Sequence, residues 1–246
     1  MNEVLIISGK GGTGKTSVAA ALAQAAGQAV LVDLDVDAAD MHLLLSPEPE
    51  EDHDFISGHE AVINPELCTQ CGICLEVCNF EAIKEDPYRV DPIACEGCKV
   101  CVVMCPDEAI EFPEKNCGQW WVSQTRAGRL VHARLFPGEE NSGKLVSRLR
   151  QEARRLVESE GIDLILADGP PGIGCPVISS LSQTSLAVAV TEPTPSGKHD
   201  LLRVIDLADF FRVPVAVLVN KADLNPDIAR EIEAVARQKG LPVVGR

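Results

Sequence analysis

The sequence has few basic residues and no long apolar run. Only 22 of its 246 residues are Lys or Arg, against 37 Asp or Glu, which gives a formal net charge of −15. This balance argues against non-specific DNA binding, which needs a positive face that displaces counterions from phosphate. No apolar run reaches the roughly 18 residues of a membrane span, and Met1 to Leu5 has no basic region before an apolar one, so a secretory signal is absent. We therefore expect a cytoplasmic protein with no nucleic-acid partner and no stable membrane association.

Cysteine, in contrast, is abundant and unevenly placed. Eight of the ten cysteines fall within residues 68–105, and only Cys117 and Cys175 lie outside. In a chain without an export signal, this number favours metal binding over disulfides. The eight form two runs with the same spacing, C-x2-C-x2-C-x3-C, and the second run is followed by Pro106.

The spacing of each run favours an iron–sulfur cluster over zinc. Two-residue gaps let three thiolates surround one cubane while the fourth cysteine reaches the other cubane, whereas zinc knuckles have no use for a third cysteine at the same step. The segment from Glu60 to Phe112 resembles a bacterial two-cluster ferredoxin, except that Asn79 stands where proline usually follows the fourth cysteine. The predicted ligands of the two [4Fe–4S] clusters are Cys68, Cys71, Cys74 and Cys105 for one, and Cys78, Cys95, Cys98 and Cys101 for the other.

A glycine-rich segment near the N-terminus is typical of a phosphate-binding loop. It follows an apolar strand and precedes an alanine-rich helix. Glycines let backbone N–H groups surround a phosphate, and the helix N-terminus adds its dipole. We therefore expect Lys15 to contact the β- and γ-phosphates and Thr16 to hold Mg²⁺. The residues predicted to bind the nucleotide are Gly9, Lys10, Gly11, Gly12, Thr13, Gly14, Lys15, Thr16 and Ser17.

The loop contains a second lysine, Lys10. The pattern Lys-Gly-Gly-Thr-Gly-Lys-Thr resembles the deviant Walker A motif of the MinD/ParA family of P-loop ATPases. This resemblance implies that the nucleotide is ATP and that the chain forms a nucleotide-dependent homodimer. It also implies a catalytic role for Lys10, which reaches the ATP of the second copy. The alternative is a solvated loop lysine.

Two further strands lead into aspartates. The second strand is followed by Asp33, Asp35 and Asp37, which alternation places on one side if the strand continues. The apolar strand over 162–167 leads into Asp168 and a Gly-Pro turn. Grouped carboxylates suit a site for Mg²⁺ and water. The family resemblance implies that Asp35 positions the attacking water, Asp33 lies near the Mg²⁺ shell and Asp168 holds Mg²⁺ through water.

The run Asn220-Lys221-Ala222-Asp223 is predicted to contact the base. Such a run is typical of GTPases, whose aspartate accepts from the guanine N–H groups, whereas in the MinD/ParA group an asparagine here contacts adenine. Lys10 and the absence of a GTPase-like switch favour ATP. We therefore expect Asn220 and Asp223 to lie at the base.

The order of the elements predicts a doubly wound α/β domain with a mostly parallel sheet. Apolar strands at 186–190 and 215–219 lack polar alternation, as strands covered on both faces do. Alternation over residues 120–136 predicts a hairpin that braces the insert. The predicted domains are a P-loop ATPase formed by residues 1–59 and 113–246, and an inserted ferredoxin-like domain at 60–112.

As a whole, the chain is similar to MinD-superfamily ATPases that carry an inserted ferredoxin domain. Residues 138–146 and 191–197 support the resemblance without suggesting a chemical role, and we interpret Lys144 as a helix-start lysine. Such ATPases continue past the position of Arg246, so we expect the natural C-terminus to be missing. Cys175 lies seven residues after Asp168, the spacing of a dimer-bridging cluster ligand in the related nitrogenase iron protein. The alternative for Cys175 is a buried small apolar residue.

These patterns predict an ATPase whose nucleotide cycle is coupled to electron transfer, or to metal-cofactor maturation, on a partner protein. Its cofactors are then ATP, Mg²⁺ and two [4Fe–4S] clusters. Two alternatives stay open. One is a positioning or partition switch like MinD or ParA, which needs a membrane-targeting helix or a basic DNA-binding face. The other is a nucleotide-gated electron carrier with negligible hydrolysis.

Overall fold

A computed structural model describes residues 1–139 and 142–246, so Glu140 and Asn141 of the 138–146 stretch lie outside the described residues. The chain divides into two compact units. The main unit comprises residues 1–53, 119–134 and 141–246, and the cysteine unit comprises residues 54–118 and 135–140. The predicted insert at 60–112 lies within the cysteine unit.

The strands carry most of the architecture. In chain order they are β1 Asn2–Ser8, β2 Val30–Asp33, β3 Glu48–His59, β4 Val62–Ile63, β5 Ile83–Lys84, β6 Arg89–Val90, β7 Ile110–Glu111, β8 Glu114–Thr125, β9 Gly128–Leu135, β10 Leu164–Pro171, β11 Leu186–Thr191, β12 Val215–Val219 and β13 Val243–Gly245. Nine of them form one sheet in the order β13-β12-β11-β1-β10-β2-β9-β8-β3. Pairing is parallel from β13 through to β9, so the predicted mostly parallel sheet is confirmed.

Helices connect these strands, as a parallel sheet requires. They are α1 Lys15–Ala26, α2 Met41–Leu45, α3 Ile73–Val77, α4 Val100–Met104, α5 Ser142–Glu160, α6 Cys175–Leu181, α7 Pro195–Phe210 and α8 Pro226–Gln238. The starts of α7 and α8 are capped by Thr194 and Asn225, whose side chains accept backbone N–H bonds at the third helical residue. No helix in the described ranges is long and apolar enough to span a bilayer.

The predicted hairpin over 120–136 is present as β8 and β9, which begin earlier, at Glu114, and end at Leu135; that it braces the insert stays a prediction. Two residues, Arg126 and Ala127, connect β8 to β9, and β9 pairs in parallel with β2. The hairpin therefore extends the main sheet. The acidic strand β3 has no counterpart among the predicted elements, because its sequence lacks the apolar run of a buried strand.

Each unit has its own apolar core. In the main unit, alanines of α1 pack with Ile6, Leu31 and Leu166 from three adjacent strands. In the cysteine unit, the buried cluster contains only Ala61, Ile63, Cys74, Ile83 and Ile110, with further cysteines packed against it. Such a small core buries little surface on folding.

Candidate functional site

The phosphate-binding loop is held in shape by its own backbone and by residues from distant strands. The Ser8 hydroxyl donates to the Lys10 carbonyl at 2.6 Å. Gly14 precedes α1 with φ 88°, and a Cβ there would overlap the Asn220 side chain. Only glycine fits this position, because it combines a left-handed φ with a close contact. Lys15 begins α1 and is buried, so its ammonium lies at the helix N-terminus inside the site.

Two buried carboxylates lie side by side on neighbouring strands, one at the end of β2 and one within β10, whose bounds Leu164–Pro171 extend past the predicted 162–167. Asp33 and Asp168 are register partners in the parallel pairing of β2 with β10. Asp168 is completely buried, and neither of its carboxylate oxygens has a hydrogen-bond partner. Burial raises the pKa of Asp168 to about 6, although the positive charge of Lys15 acts in the opposite direction. A buried carboxylate without partners fits a divalent cation, since an uncompensated charge is costly inside a protein.

Asp33 has a different environment from Asp168. Its two oxygens accept the backbone N–H groups of Asp35 and Met41, at 3.2 and 3.1 Å. Burial and the neighbouring Asp168 raise the pKa of Asp33 well above its ordinary value. Asp33 therefore fixes the loop after β2, and any contact with the Mg²⁺ shell stays a prediction.

The loop after β2 brings Asp35 to the phosphate-binding loop. The Asp35 carboxylate lies 3.8 Å from the Lys15 ammonium. Burial raises the pKa of Asp35, and Lys15 opposes that rise. The expectation that the strand continues and aligns three aspartates is wrong, because β2 ends at Asp33 and Asp37 is exposed. Asp33 and Asp35 are brought together by the turn that follows.

The residues after β12 contact the phosphate-binding loop from the other side. Asn220 Nδ2 donates to the Thr13 carbonyl at 2.8 Å, and Lys221 Nζ donates to the Gly12 carbonyl at 2.7 Å. Because Nδ2 is engaged, Oδ1 is the Asn220 atom left to accept from a base. Asp223 is exposed. Its predicted contact with the base stays a prediction.

Lys10 is bound by residues at the end of β11 and the start of α7. Its ammonium lies 2.6 Å from Glu192 Oε1 and donates to Ser196 Oγ at 3.1 Å. The second oxygen of Glu192 pairs with Lys221 at 3.1 Å. Sequence reasoning assigned no role to Glu192 or Lys221. A signal was nonetheless present, because Glu192 follows a buried strand in the same way as Asp33 and Asp168.

In the cysteine unit, the eight cysteines of the two runs line two separate cavities. The lining of the first cavity includes Cys68, Cys71, Cys74 and Cys105. The lining of the second includes Cys78, Cys95, Cys98 and Cys101. The fourth cysteine of each run thus lies with the first three of the other. Burial raises the pKa of the Cys74 and Cys101 thiols, and the other thiols of the same cavity add to the rise.

These thiols do not form a site for a single ion. Among the described residues, no group of three or more His, Cys, Asp or Glu side chains is arranged to hold one metal ion. A cubane needs a wider arrangement, because each thiolate binds a different iron atom at a corner of the cluster. Four thiols around an otherwise apolar cavity therefore fit a cluster better than zinc. Whether they ligate one stays a prediction.

The two remaining cysteines have opposite surroundings. Cys117 is buried, donates to the Ser57 carbonyl and has a pKa raised to about 11, mainly by burial. Cys175 begins α6 and is exposed, so the expectation of a buried small residue there is wrong. Lys144 is exposed in the first turn of α5, as a helix-start lysine is.

Comparisons with known proteins agree with this geometry. Residues 4–246 match the family described as "CobQ/CobB/MinD/ParA nucleotide binding domain". An uncharacterized protein of Methanocaldococcus jannaschii is 37% identical over 227 residues, which cover 91% of this chain and 79% of the relative. Two solved structures share the fold at a TM-score of 0.53. The cell division ATPase MinD of Pyrococcus furiosus is 20% identical, with 98% and 81% coverage of the two chains. The septum site-determining protein MinD of Pyrococcus horikoshii, complexed with Mg-ADP, is 19% identical, with 94% and 76% coverage.

Proposed function

Because the chain belongs to the CobQ/CobB/MinD/ParA nucleotide-binding family and is an ATPase of that P-loop kind, we propose that it works as an ATP-dependent dimer switch of the MinD/ParA type. The observation that carries the proposal is Asp168. Its carboxylate is fully buried in the site that contains Lys15, and its oxygens have no hydrogen-bond partner. Mg²⁺ bound with ATP would supply the positive charge that balances this carboxylate. Thr16 and Asp168 are the residues that would hold it.

The pairing of Lys15 with Asp35 suggests how binding leads to hydrolysis. Phosphate groups compete with Asp35 for the Lys15 ammonium, because they carry more negative charge and meet the helix N-terminus as well. Asp35 then becomes free to orient a water molecule towards the γ-phosphorus. The bond between that phosphorus and the bridging oxygen breaks, and ADP and phosphate result. Lys10 of a second copy stabilises the negative charge in the transition state.

Three substitutions test this proposal. Lys15→Ala should abolish ATP binding. Asp35→Ala should preserve ATP binding and dimer formation but slow hydrolysis on the order of 100-fold. Lys10→Ala should bind ATP but remain a monomer. The exposed Lys144→Ala serves as the control for loss of a lysine. Turnover, equilibrium binding and sedimentation in ATP measure the three properties. Hydrolysis at the wild-type rate by Asp35→Ala would refute the assigned role.

We also propose that the cysteine unit holds two [4Fe–4S] clusters and that the nucleotide cycle acts on their electron transfer, or on metal-cofactor maturation of a partner protein. The support is the grouping of four thiols around each of two cavities. Clusters of this type exchange single electrons at low potential. The chain supplies the thiolates, an apolar surround and a strongly acidic surface.

Anaerobic reconstitution tests the second proposal. We expect about eight iron atoms per chain, four for each cluster, and two interacting EPR signals after reduction with dithionite. Cys105→Ser should remove one signal, whereas Cys117→Ser, outside both cavities, should remove neither. A wild-type chain that retains no acid-labile sulfide would contradict the proposal.

A final comparison distinguishes redox coupling from a positioning or partition role. If Mg-ATP changes the EPR spectra or potentials, the nucleotide and redox sites are coupled in the chain itself. If ATP instead promotes binding to liposomes or DNA, the chain is a positioning or partition switch, which is the role closest to the MinD structures that share its fold. The net charge of −15 makes DNA the weaker partner of these two.

A further inference from the structure

Glu192 connects two lysines of the nucleotide site. Its Oε1 lies 2.6 Å from Lys10 and its Oε2 lies 3.1 Å from Lys221. Lys221 in turn donates to the Gly12 carbonyl inside the phosphate-binding loop. One carboxylate therefore sets the position of the loop lysine and of the lysine that supports the loop backbone.

Among the described residues, the polar contacts of the Lys10 ammonium are with the segment that follows β11 and with the first turn of α7. Besides Glu192, it reaches Ser196 Oγ at 3.1 Å and Thr194 Oγ1 at 3.5 Å. The loop also packs closely on α7, because a Cβ at Gly9 would overlap the backbone of Asp200. Lys10 thus extends along α7, while Lys15 is paired with Asp35. The two lysines of the loop have separate partners.

The Lys10–Glu192 pair is sheltered and charged. Glu192 is 14% exposed and Lys10 is 30% exposed. Both lysines lower the pKa of Glu192, so the carboxylate stays ionised at neutral pH. An ion pair of this kind contributes more than one in full solvent, and salt screens it only in part.

We propose that Glu192 is a positioning residue that holds Lys10 on its own chain until a second copy, with bound ATP, takes the lysine away. This inference rests on the proposed dimer switch. Each dimer requires that two Lys10–Glu192 pairs be broken, one in each copy. Glu192 therefore opposes dimer formation and prevents Lys10 from meeting nucleotide too early.

The test compares dimer formation in three variants. Glu192→Gln keeps the size of the side chain and removes its charge. Glu231→Gln is the matched control, since it removes a carboxylate that pairs with Lys198 at 2.9 Å between α7 and α8. Lys221→Met removes the second partner of Glu192 and the bond to Gly12 but leaves Lys10–Glu192 in place. Sedimentation velocity in Mg-ATPγS gives the protein concentration at half dimerisation.

For Glu192→Gln we expect that concentration to fall roughly five- to tenfold, since two partly exposed ion pairs no longer need to be broken. The difference from wild type should shrink at 0.5 M salt, on the order of several times physiological ionic strength, because the pair is then screened. Glu231→Gln should match wild type. Lys221→Met should bind ATPγS more weakly and should not dimerise more readily than wild type. This result would distinguish the release of Lys10 from a general destabilisation of the phosphate-binding loop.

Three results would overturn the inference. The first is that Glu192→Gln dimerises at the same concentration as wild type. The second is that it behaves like Lys221→Met. The third is that it dimerises less readily than wild type, which would mean that Glu192 assists the dimer. If the wild type itself binds ATPγS and stays monomeric, the proposed dimer switch fails together with the inference. If the wild type dimerises and Glu192→Gln changes nothing, only the inference fails.

Discussion

At the scale of single residues, an electrostatic cost is concentrated where β2 pairs with β10. Asp33 and Asp168 are adjacent and buried, and each has a raised pKa. Two like charges in one dry location cost folding free energy unless a proton or cation joins them. The nucleotide-free protein therefore carries an electrostatic penalty at neutral pH that a metal–nucleotide complex relieves.

Replacing Asp168 by Asn should stabilise the nucleotide-free protein above pH 6 and abolish hydrolysis. The folded state holds the proton of Asp168 up to about pH 6, against an ordinary pKa of 3.8. The contribution of Asp168 to stability is therefore fully present below about pH 4, is lost as the pH rises from 4 to 6, and does not change further above 6. A shift of about two pKa units corresponds to roughly 3 kcal/mol, which is the upper limit of the gain in the variant.

Urea unfolding of both proteins between pH 4 and 8 measures this effect. The two free energies of unfolding should converge near pH 4, separate as the pH rises to 6, and differ by a constant amount above it. Asp227→Asn, which changes a highly exposed carboxylate, is the control. A difference that stays constant over the whole range would show that charge at Asp168 is not the cause.

Gly14→Ala should destabilise the protein and prevent nucleotide binding. The substitution forces a side chain into a left-handed conformation and into the Asn220 amide, at a cost of about 1–3 kcal/mol. Gly11→Ala is the matched control, since a Cβ there meets nothing within 4 Å. Thermal unfolding without nucleotide compares the two. Equal destabilisation would contradict the argument from backbone geometry.

At the scale of elements, β1, α5 and α6 are joined by one buried network. Glu3 on β1 accepts from Arg150 at 2.7 Å and from Arg154 at 2.9 Å, both on α5. Arg150 also donates to the Ser179 carbonyl on α6 at 2.7 Å. Because Glu3 lies at the start of β1, the network joins α5 and α6 to the edge of the sheet opposite the phosphate-binding loop.

Breaking this network should be far more costly than breaking a surface ion pair. Arg150→Met leaves Glu3 buried with one partner fewer, and we expect a loss of about 3 kcal/mol. Asp227→Asn, in a surface pair with Arg230, should cost less than about 1 kcal/mol. The double variant Glu3→Gln/Arg150→Met should lose less than the sum of its single losses. Chemical denaturation gives all four values, and strict additivity would show that the two side chains do not act together.

How well a feature could be predicted from the sequence depends on how far apart its interacting residues are along the chain. The loop from Gly9 to Thr16 and the buried strands could be predicted, because their signals lie within a few consecutive residues. The bond from Asn220 to Thr13 and the ion pair of Glu192 with Lys10 join residues about 200 positions apart, and no local pattern reports them. The strand β3 could not be predicted because its sequence is acidic and its pairing depends on the neighbouring hairpin.

At the scale of the whole molecule, charge is divided unequally. The cysteine unit holds fifteen acidic and four basic side chains, so −11 of the total charge of −15 belongs to 71 residues. Loaded clusters would add about −2 each. A small core must hold this charge together, and the thiolate–iron bonds of the proposed clusters would supply stability that the core lacks.

Removing iron should therefore unfold the cysteine unit selectively. We expect backbone amides in residues 61–112 to lose protection in hydrogen exchange after chelation, because a buried cluster of five residues cannot support the fold alone. Amides of β1, β10 and β11 should keep their protection, and the apoprotein should still bind ATP. Equal exchange in the iron-loaded and chelated proteins would contradict a structural role for the clusters.

The crossed lining of the two cavities has a further consequence. Cys78 comes from the first cysteine run and lines the second cavity, while Cys105 comes from the second run and lines the first. Neither half of the repeat can complete a ring of four thiols by itself. Oxygen damage at one centre would therefore disturb a half on which the other centre depends. Once one centre is destroyed, the other should therefore be lost faster than it is from a protein with both centres intact.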